Sequence, residues 1–111
     1  MREKKRYLVV RLFARKEFDE VLAKRLVYEA VFQLLGEFGA SRAAVQLKGF
    51  DAGRQELLLK CAASELEGVV AALALKRFFG GEGVALRVSR VSGSVAGTGF
   101  AGRGSEKQFY K

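Results

Sequence analysis

Two kinds of apolar periodicity alternate along this chain, and their order limits the possible folds more than any other feature of the sequence. Apolar residues at every second position predict β-strands at residues 6–13, 43–50, 55–62 and 84–91. Apolar residues at helical spacing predict helices at residues 19–36 and 64–79. The order is therefore strand, helix, strand, strand, helix, strand.

Polar residues and glycines mark the ends of the predicted helices. Asp19 and Glu20 provide an N-cap and a negative charge at the start of the first helix, which is favourable at a helix N-terminus. Gly36 or Gly39 is expected to end that helix. Residues 64–67, Ser-Glu-Leu-Glu, have the spacing of a capping box and are expected to open the second helix.

This order predicts an α+β fold of the ferredoxin-like or RNA-recognition-like kind, a βαββαβ sandwich. Two right-handed crossovers place both helices on one face of an antiparallel sheet, with the first and last strands adjacent or near the middle. The length of 111 residues points to one domain. We expect residues 1–95 to form this α/β domain and the glycine-rich, basic residues 96–111 to be a flexible tail.

The charge and the missing residue types narrow the function. Twenty Lys and Arg against 12 Asp and Glu give a net charge of +8, which favours a polyanionic partner such as nucleic acid. The chain has no His and one Cys, so the usual zinc-ligand sets and Ser-His or Cys-His nucleophile pairs cannot be assembled from it. We expect no metal site, no cofactor and no catalytic site. The lone Cys61 suits a reducing cytoplasm and is expected to be a core residue.

The two faces of the predicted sheet differ in chemistry. The first helix is expected to bury an apolar stripe that reaches Leu34 and Phe38 on the sheet. The helix-side face is expected to be aliphatic, with Leu8, Val10, Leu12, Val45, Leu47, Leu57, Leu59, Cys61, Val84, Leu86 and Val88. The open face is expected to be mixed, with Tyr7, Val9, Arg11, Phe13, Gln46, Lys48, Phe50, Leu58, Lys60, Arg87 and Val91.

Basic and aromatic side chains on an open sheet are typical of RNA recognition, in which rings stack on bases and Arg or Lys hold phosphates. The third predicted strand, residues 55–62, carries no aromatic residue for such stacking. The apolar share of the open face favours a protein partner or an extra covering element instead.

Three motifs in order and spacing resemble one known family. KKRYLVVRL near the start, LLGEFG at the end of the first helix and VSRVSGSV near the end resemble ribonuclease P protein component 2 of archaeal type. The resemblance implies a subunit of the ribonucleoprotein that removes the 5′ leader from precursor tRNA, in which the RNA carries the catalysis. It also implies two kinds of partner, the ribonuclease P RNA and other ribonuclease P proteins, chiefly protein component 3. Precursor tRNA would be contacted indirectly, and no membrane is involved.

Under this hypothesis basic residues contact RNA phosphates, and small residues at the end of the last strand allow a close approach. The RNA-binding residues are then Arg2, Lys4, Lys5, Arg6, Arg11, Arg87, Arg90, Ser92, Gly93, Ser94, Arg103 and Lys107. The protein partner would be contacted by apolar residues near the strand edges, namely Tyr7, Phe13, Phe50 and Val91. The alternative is a ferredoxin-like regulatory or scaffold domain that dimerises through its open face and binds no RNA.

Overall fold

The structure, a computed structural model, describes residues 4–100. The elements in this range are β1 (Lys5–Ala14), α1 (Glu20–Ala43), β2 (Gln46–Asp51), β3 (Glu56–Ala62), a 3-10 turn (Ala63–Glu65), α2 (Leu66–Leu75), β4 (Phe78–Phe79), β5 (Glu82–Ser92) and α3 (Val95–Thr98). Within residues 4–100 five strands form one antiparallel sheet in the order β2-β3-β1-β5-β4.

The predicted ferredoxin-like arrangement is confirmed. The first and last long strands, β1 and β5, are neighbours, and β1 also pairs with β3. Helices α1 and α2 pack against each other and share one core with the sheet. The two-residue strand β4 extends the sheet beyond β5 and is an addition to the predicted order.

The helix-side face of the sheet carries this core. All the side chains predicted for that face either belong to the core or pack against it. Cys61 is fully buried among them, as expected. Burial raises the pKa of the Cys61 thiol, while Lys5 and Arg6 lower it by smaller amounts. The thiol is therefore kept neutral and acts as a small apolar side chain.

Helix α1 begins where predicted and continues beyond both glycines proposed as its end. Asp19 caps it, because a side-chain oxygen accepts a hydrogen bond from the backbone N–H of Leu22 at 2.8 Å. Gly36 has a φ of 73° and kinks the helix without ending it. The helix resumes and stops before Ala44, a C-cap residue in the left-handed conformation.

Helix α2 is shorter than predicted at both ends. Its N-cap is Glu65 rather than Ser64, because a 3-10 turn precedes it. It ends at Leu75, and the following Phe78–Phe79 forms β4 instead of a last helical turn. The turn between β4 and β5 contains Gly80, at a φ of 59°, and Gly81, at 82°. The two glycines therefore form the turn of a β-hairpin.

A β-bulge at Lys48 moves the end of β2 to the other face of the sheet. Leu47 pairs with Leu59 before the bulge, and Phe50 pairs with Leu57 after it. Directly paired residues share a face, so Phe50 lies beside Leu57 in the core. The prediction that Phe50 lies on the open face and contacts a partner is therefore wrong. A single extra residue reverses the alternation of a strand.

A second bulge, at Ser89, has the same effect on β5. Beyond it Arg90 pairs with Val9, and Val91 pairs with Leu8. Leu8 is a core residue, so Val91 lies on the helix side and its predicted place on the open face is wrong. Arg90 occupies the open face instead.

The open face is partly covered by residues 95–100, which we call the covering segment. Its helix, α3, contacts β1 and β5. The ring of Phe100 lies against Gly49, where a Cβ atom would come within 2.7 Å of a ring carbon. Val9 and Leu58, which pair with each other on this face, are 5% and 0% exposed. The expected covering element is thus a segment of the chain itself.

The covering segment extends the packed part of the chain to Phe100, beyond the boundary expected at residue 95. Residues 101–111 lie outside the described residues. The flexible tail stays a prediction for them.

Gln55 has a strained backbone that its own side chain stabilises. Its φ of 52° lies in the left-handed region, which costs a non-glycine residue about 1–2 kcal/mol. Its side-chain oxygen accepts from the Phe18 N–H at 2.8 Å, and its amide nitrogen donates to the carbonyls of Phe18 at 3.1 Å and Ala52 at 2.9 Å. These bonds tie the loop before α1 to the β2–β3 turn.

We expect Gln55→Ala to destabilise the protein by about 2 kcal/mol, because it removes these hydrogen bonds and keeps the strain. Gln55→Gly removes the same bonds but relieves the strain, so its loss should be smaller by about 1 kcal/mol. Urea unfolding of the two variants measures the difference. Equal losses would contradict the interpretation of Gln55 as a strained residue.

Candidate nucleic-acid interface

The first basic cluster, residues 4–6 (Lys-Lys-Arg), lies at the start of β1. Tyr7 pairs with Ser92, so this cluster is beside the end of β5. A guanidinium nitrogen of Arg6 lies 3.9 Å from the position that a Cβ atom on Gly93 would take. The structure thus brings together basic and small residues that are more than eighty positions apart in the sequence.

The small residues at the end of β5 are explained by local hydrogen bonds. Ser94 caps α3, because its hydroxyl accepts from the backbone N–H of Gly97 at 3.1 Å. The hydroxyl of Ser92 accepts from the Ser94 N–H at 3.2 Å. A Cβ atom on Gly97 would collide with the Ser92 side chain, so the chain itself requires a glycine at this position. The close approach of RNA to Ser92, Gly93 and Ser94 stays a prediction.

The second basic cluster consists of Arg11 and Arg87, which pair directly across β1 and β5 on the open face. Their guanidinium carbons lie 6.0 Å and 5.8 Å from the ring centroid of Phe13. On the other side of Arg11, its Nε lies 3.9 Å from a carboxylate oxygen of Glu56. The two basic clusters are about 17 Å apart along β1, the length of five strand residues.

Arg90 lies between the two clusters and has an internal role. One of its guanidinium nitrogens donates to the carbonyl of Thr98 at 3.1 Å. The same nitrogen is 2.7 Å from where a Cβ atom on Gly99 would be. Arg90 therefore holds the covering segment, a function that its place in the sequence did not predict.

Other cations near the second cluster were missed by sequence reasoning. Arg15 and Lys16 follow β1, and Arg54 lies in the β2–β3 turn; all three line the same cleft as Arg11 and Phe13. The pair Arg15 and Lys16, directly after a predicted strand, is the sequence feature that could have indicated these cations. Three predicted RNA-binding residues, Arg2, Arg103 and Lys107, lie outside the described residues.

The residues predicted to contact a protein partner do not form one surface. Tyr7 is half-buried, Phe13 is 45% exposed within the second basic cluster, and the two bulges remove Phe50 and Val91 from the open face. The large exposed apolar side chains of the described chain lie mostly on the helices and β4. They are Val21, Tyr28, Phe32, Leu34, Phe38, Leu75 and Phe78.

Two of these exposed residues correct the predicted helix stripe. Phe38 is 83% exposed and Leu34 is also exposed, so the prediction that the stripe buries both of them on the sheet is wrong. Phe38 follows the kink at Gly36, which breaks the helical phase of the stripe. A groove of about 530 Å³ lies beside this region, between the second half of α1 and the edge strand β2, and Tyr28, Phe32 and Glu37 line it.

Neither a metal-binding cluster nor a membrane-spanning helix is found in the part of the chain that the structure describes. No group of three or more His, Cys, Asp or Glu residues is placed to hold a metal ion there. No helix among the described residues is long and apolar enough to cross a membrane.

Comparison with known proteins agrees with the motifs. The model of the Rpp14/Pop5 family matches residues 6–98. Ribonuclease P protein component 2 of Archaeoglobus fulgidus is 34% identical over 96 residues, which cover 86% of this chain and 84% of the relative. The protein of the same name from Pyrococcus furiosus is 27% identical over 95 residues, covering 86% of this chain and 79% of the relative.

The fold also has a solved counterpart. A chain in a cryo-EM structure of yeast ribonuclease MRP superposes with a TM-score of 0.66 at 9% identity, covering 85% of this chain and 77% of that one. At this identity the likeness shows the fold alone. The family match over residues 6–98 confirms the resemblance that the three motifs indicated, and it shows that this chain belongs to the Rpp14/Pop5 family.

Proposed function

We propose that this chain is a protein subunit of ribonuclease P and supports RNA-catalysed removal of the 5′ leader from precursor tRNA. Its role is to bind and fold the catalytic RNA together with a partner protein, while precursor tRNA is contacted indirectly. The match to the Rpp14/Pop5 family over residues 6–98 carries this proposal. The net charge of +8 supports it, because a polyanionic RNA is the kind of partner that such a charge attracts.

The RNA would lie along β1, between the two basic clusters. Residues 4–6 provide cations at one end of this strand, and Arg11 and Arg87 provide them at the other. The covering segment occupies part of the sheet between them, as the buried pair of Val9 and Leu58 shows. Contact through phosphates at the two ends of the strand therefore fits this surface better than stacking of bases over its centre.

The protein partner would cover the helix side of the domain. Phe32, Phe38 and Leu75 on the helices are each more than half exposed, and apolar patches of this kind mark protein interfaces. Ribonuclease P protein component 3 is the partner that we propose for this surface. The domain would act in the cytoplasm, as the lone Cys61 predicts.

The alternative function, a dimer formed through the open face without RNA binding, has less support. The covering segment already occupies part of that face. The apolar side chains that remain exposed lie mainly on the helix side.

RNA binding by the full chain can be measured in a filter assay at increasing salt. If about five phosphates are contacted, the logarithm of the affinity should fall with the logarithm of the salt concentration at a slope of roughly −3.5 to −4.5. Replacing Lys4 and Lys5 with glutamine should reduce the magnitude of this slope by about 1.4–1.8.

A variant with the same net charge provides the control for this assay. Replacing Lys24 and Arg25, exposed on α1, with glutamine should leave the slope unchanged. Affinity that does not depend on salt would contradict phosphate contact. Equal losses in the two variants would show that only the overall charge matters.

A further inference from the structure

A cleft at the end of β1 is lined by several basic residues that the proposed function does not use. Its volume is about 320 Å³, and it lies between the loop that precedes α1 and the turn that joins β2 to β3. Four cationic side chains line it, together with an exposed aromatic ring and one carboxylate. The cations are Arg11, Arg15, Lys16 and Arg54, and the ring is that of Phe13.

The two walls of this cleft are held together in advance of any ligand. Gln55 joins the loop to the turn through its hydrogen bonds to Phe18 and Ala52, and it does so from a left-handed backbone. The carboxylate of Asp51 accepts from the Arg54 N–H at 3.2 Å, which further orders the turn. Strained residues held by local bonds are typical of binding sites, where preorganisation matters.

Next to the cleft, strands β1 and β5 place like charges side by side. Arg11 and Arg87 are directly opposite each other on neighbouring strands, an arrangement that is destabilising by itself. Glu56 lies on the far side of Arg11, with its carboxylate 3.9 Å from that guanidinium, so it faces one of the two arginines and not both. This row of Glu56, Arg11 and Arg87 keeps a net positive charge, which a bound anion would neutralise.

Phe13 follows Arg11 by two residues on β1, so it lies on the same face of the sheet, and it is 45% exposed. The guanidinium groups of Arg11 and Arg87 lie over this ring, so a nucleobase that stacks on Phe13 would take the place of a guanidinium group, which could then contact a flanking phosphate. A paired base offers no free face to such a ring, because its faces are covered by neighbouring base pairs. The aromatic ring therefore favours an unpaired nucleotide over a duplex.

We propose that this cleft binds an unpaired nucleotide of RNA. The base stacks on Phe13, and the adjoining phosphates are held by Arg15, Lys16 and Arg54, with Arg11 in the cleft and Arg87 beside it adding positive charge. The inference rests on the proposed function, because it requires that the chain binds RNA. It also reassigns Phe13, predicted to contact a protein partner, to an RNA contact.

The aromatic contact can be tested with Phe13→Leu in the full chain. The probes are a fluorescent oligouridylate of about 12 nucleotides and a duplex RNA of the same length. Loss of one stacked base should weaken binding of the single strand by roughly tenfold and leave duplex binding nearly unchanged. Phe13→Tyr keeps a stacking ring and should bind like the wild type.

The matched control is Phe38→Leu, which removes another exposed phenylalanine from α1, on the other side of the sheet. It should not change the affinity for either RNA. If Phe13→Leu and Phe38→Leu bind the single strand equally well, the stacking contact is overturned.

The cationic wall is tested separately by replacing Arg15 and Arg54 together with glutamine. The salt slope for the single strand should become less steep by about 1.4, the amount expected for two lost phosphate contacts. The Lys24 and Arg25 double variant again matches the change in net charge. Identical slopes in the two double variants would overturn the cleft as a phosphate site.

The outcomes separate this inference from the proposed function. If the wild-type chain binds neither RNA, the proposed function fails and the inference fails with it. If the wild type binds RNA with salt dependence but the Phe13 and Arg15/Arg54 variants both bind like their controls, the inference alone is overturned. Thermal unfolding of each variant shows whether a loss of binding follows from a loss of folding.

Discussion

Gly49→Val should detach the covering segment from the open face of the sheet. A Cβ atom at this position would be 2.7 Å from a ring carbon of Phe100. Phe100 follows the last helix, α3, outside any strand, and can move away, whereas Gly49 is fixed within β2. The cost should be about 1–3 kcal/mol, the usual range for overpacking, limited by the free energy with which the segment docks.

Amide hydrogen exchange measures this effect directly. In the Gly49→Val variant, the protection of residues 97–99 should fall while that of the strand pair β1 and β3 changes little. Gly83→Val is the matched control, because a Cβ atom there meets nothing within 4 Å. Unchanged protection of residues 97–99 in Gly49→Val would contradict the packing of Phe100 on β2.

Glu29→Gln should destabilise the protein by about 2–3 kcal/mol. The side chain of Lys76 is only 5% exposed. Its ammonium group lies 2.5 Å from a carboxylate oxygen of Glu29 and 2.8 Å from the side-chain oxygen of Gln33. Removing the carboxylate leaves a buried positive charge with only a neutral partner. Because the side chain of Glu29 is 42% exposed, we expect an effect below the range for fully buried pairs.

Lys76→Met provides the comparison. It removes the buried charge itself and replaces it with an apolar side chain of similar length, so the loss should be smaller than in Glu29→Gln. Urea unfolding of both variants measures the order of stability. A Glu29→Gln protein as stable as the wild type would show that the pair does not hold α2 against α1.

The adjacency of the first and last long strands and the helix-side core could be predicted because both depend on patterns that extend over many residues. Alternation in β1 and β3 runs without interruption, so Leu8, Leu57 and Cys61 lie where the pattern places them. Asp19 could be predicted as a cap because an N-cap acts within one helical turn.

Other features depend on single residues that a periodic pattern does not reveal. The extra residues Lys48 and Ser89 each reverse the alternation of the strand beyond them. The prediction therefore placed Phe50 and Val91 on the wrong face of the sheet. Gly36 kinks α1, and the helix continues beyond it. A glycine is equally typical of a helix end, so the sequence pattern does not distinguish a kink from an end. The docking of Phe100 depends on a contact with Gly49, fifty-one positions away.

The candidate site was predicted in part. The basic residues 4–6, Arg11 and Arg87 could be found from charge and strand alternation. The cleft could not, because Arg15, Lys16 and Arg54 lie on two loops that come together only in the folded sheet, through the pairing of β1 with β3 and the hydrogen bonds of Gln55. Arg90 is the opposite case. Its place in a basic motif predicted an RNA contact, but in the structure its guanidinium group holds the covering segment.

Cleavage of precursor tRNA by a reconstituted ribonuclease P particle tests the central claim most directly. The particle is assembled from the cognate RNA and the remaining protein subunits, with this chain either added or omitted. We predict that omission lowers the cleavage rate and that adding the full chain restores it. An equal rate with and without the chain would contradict its role as a ribonuclease P subunit.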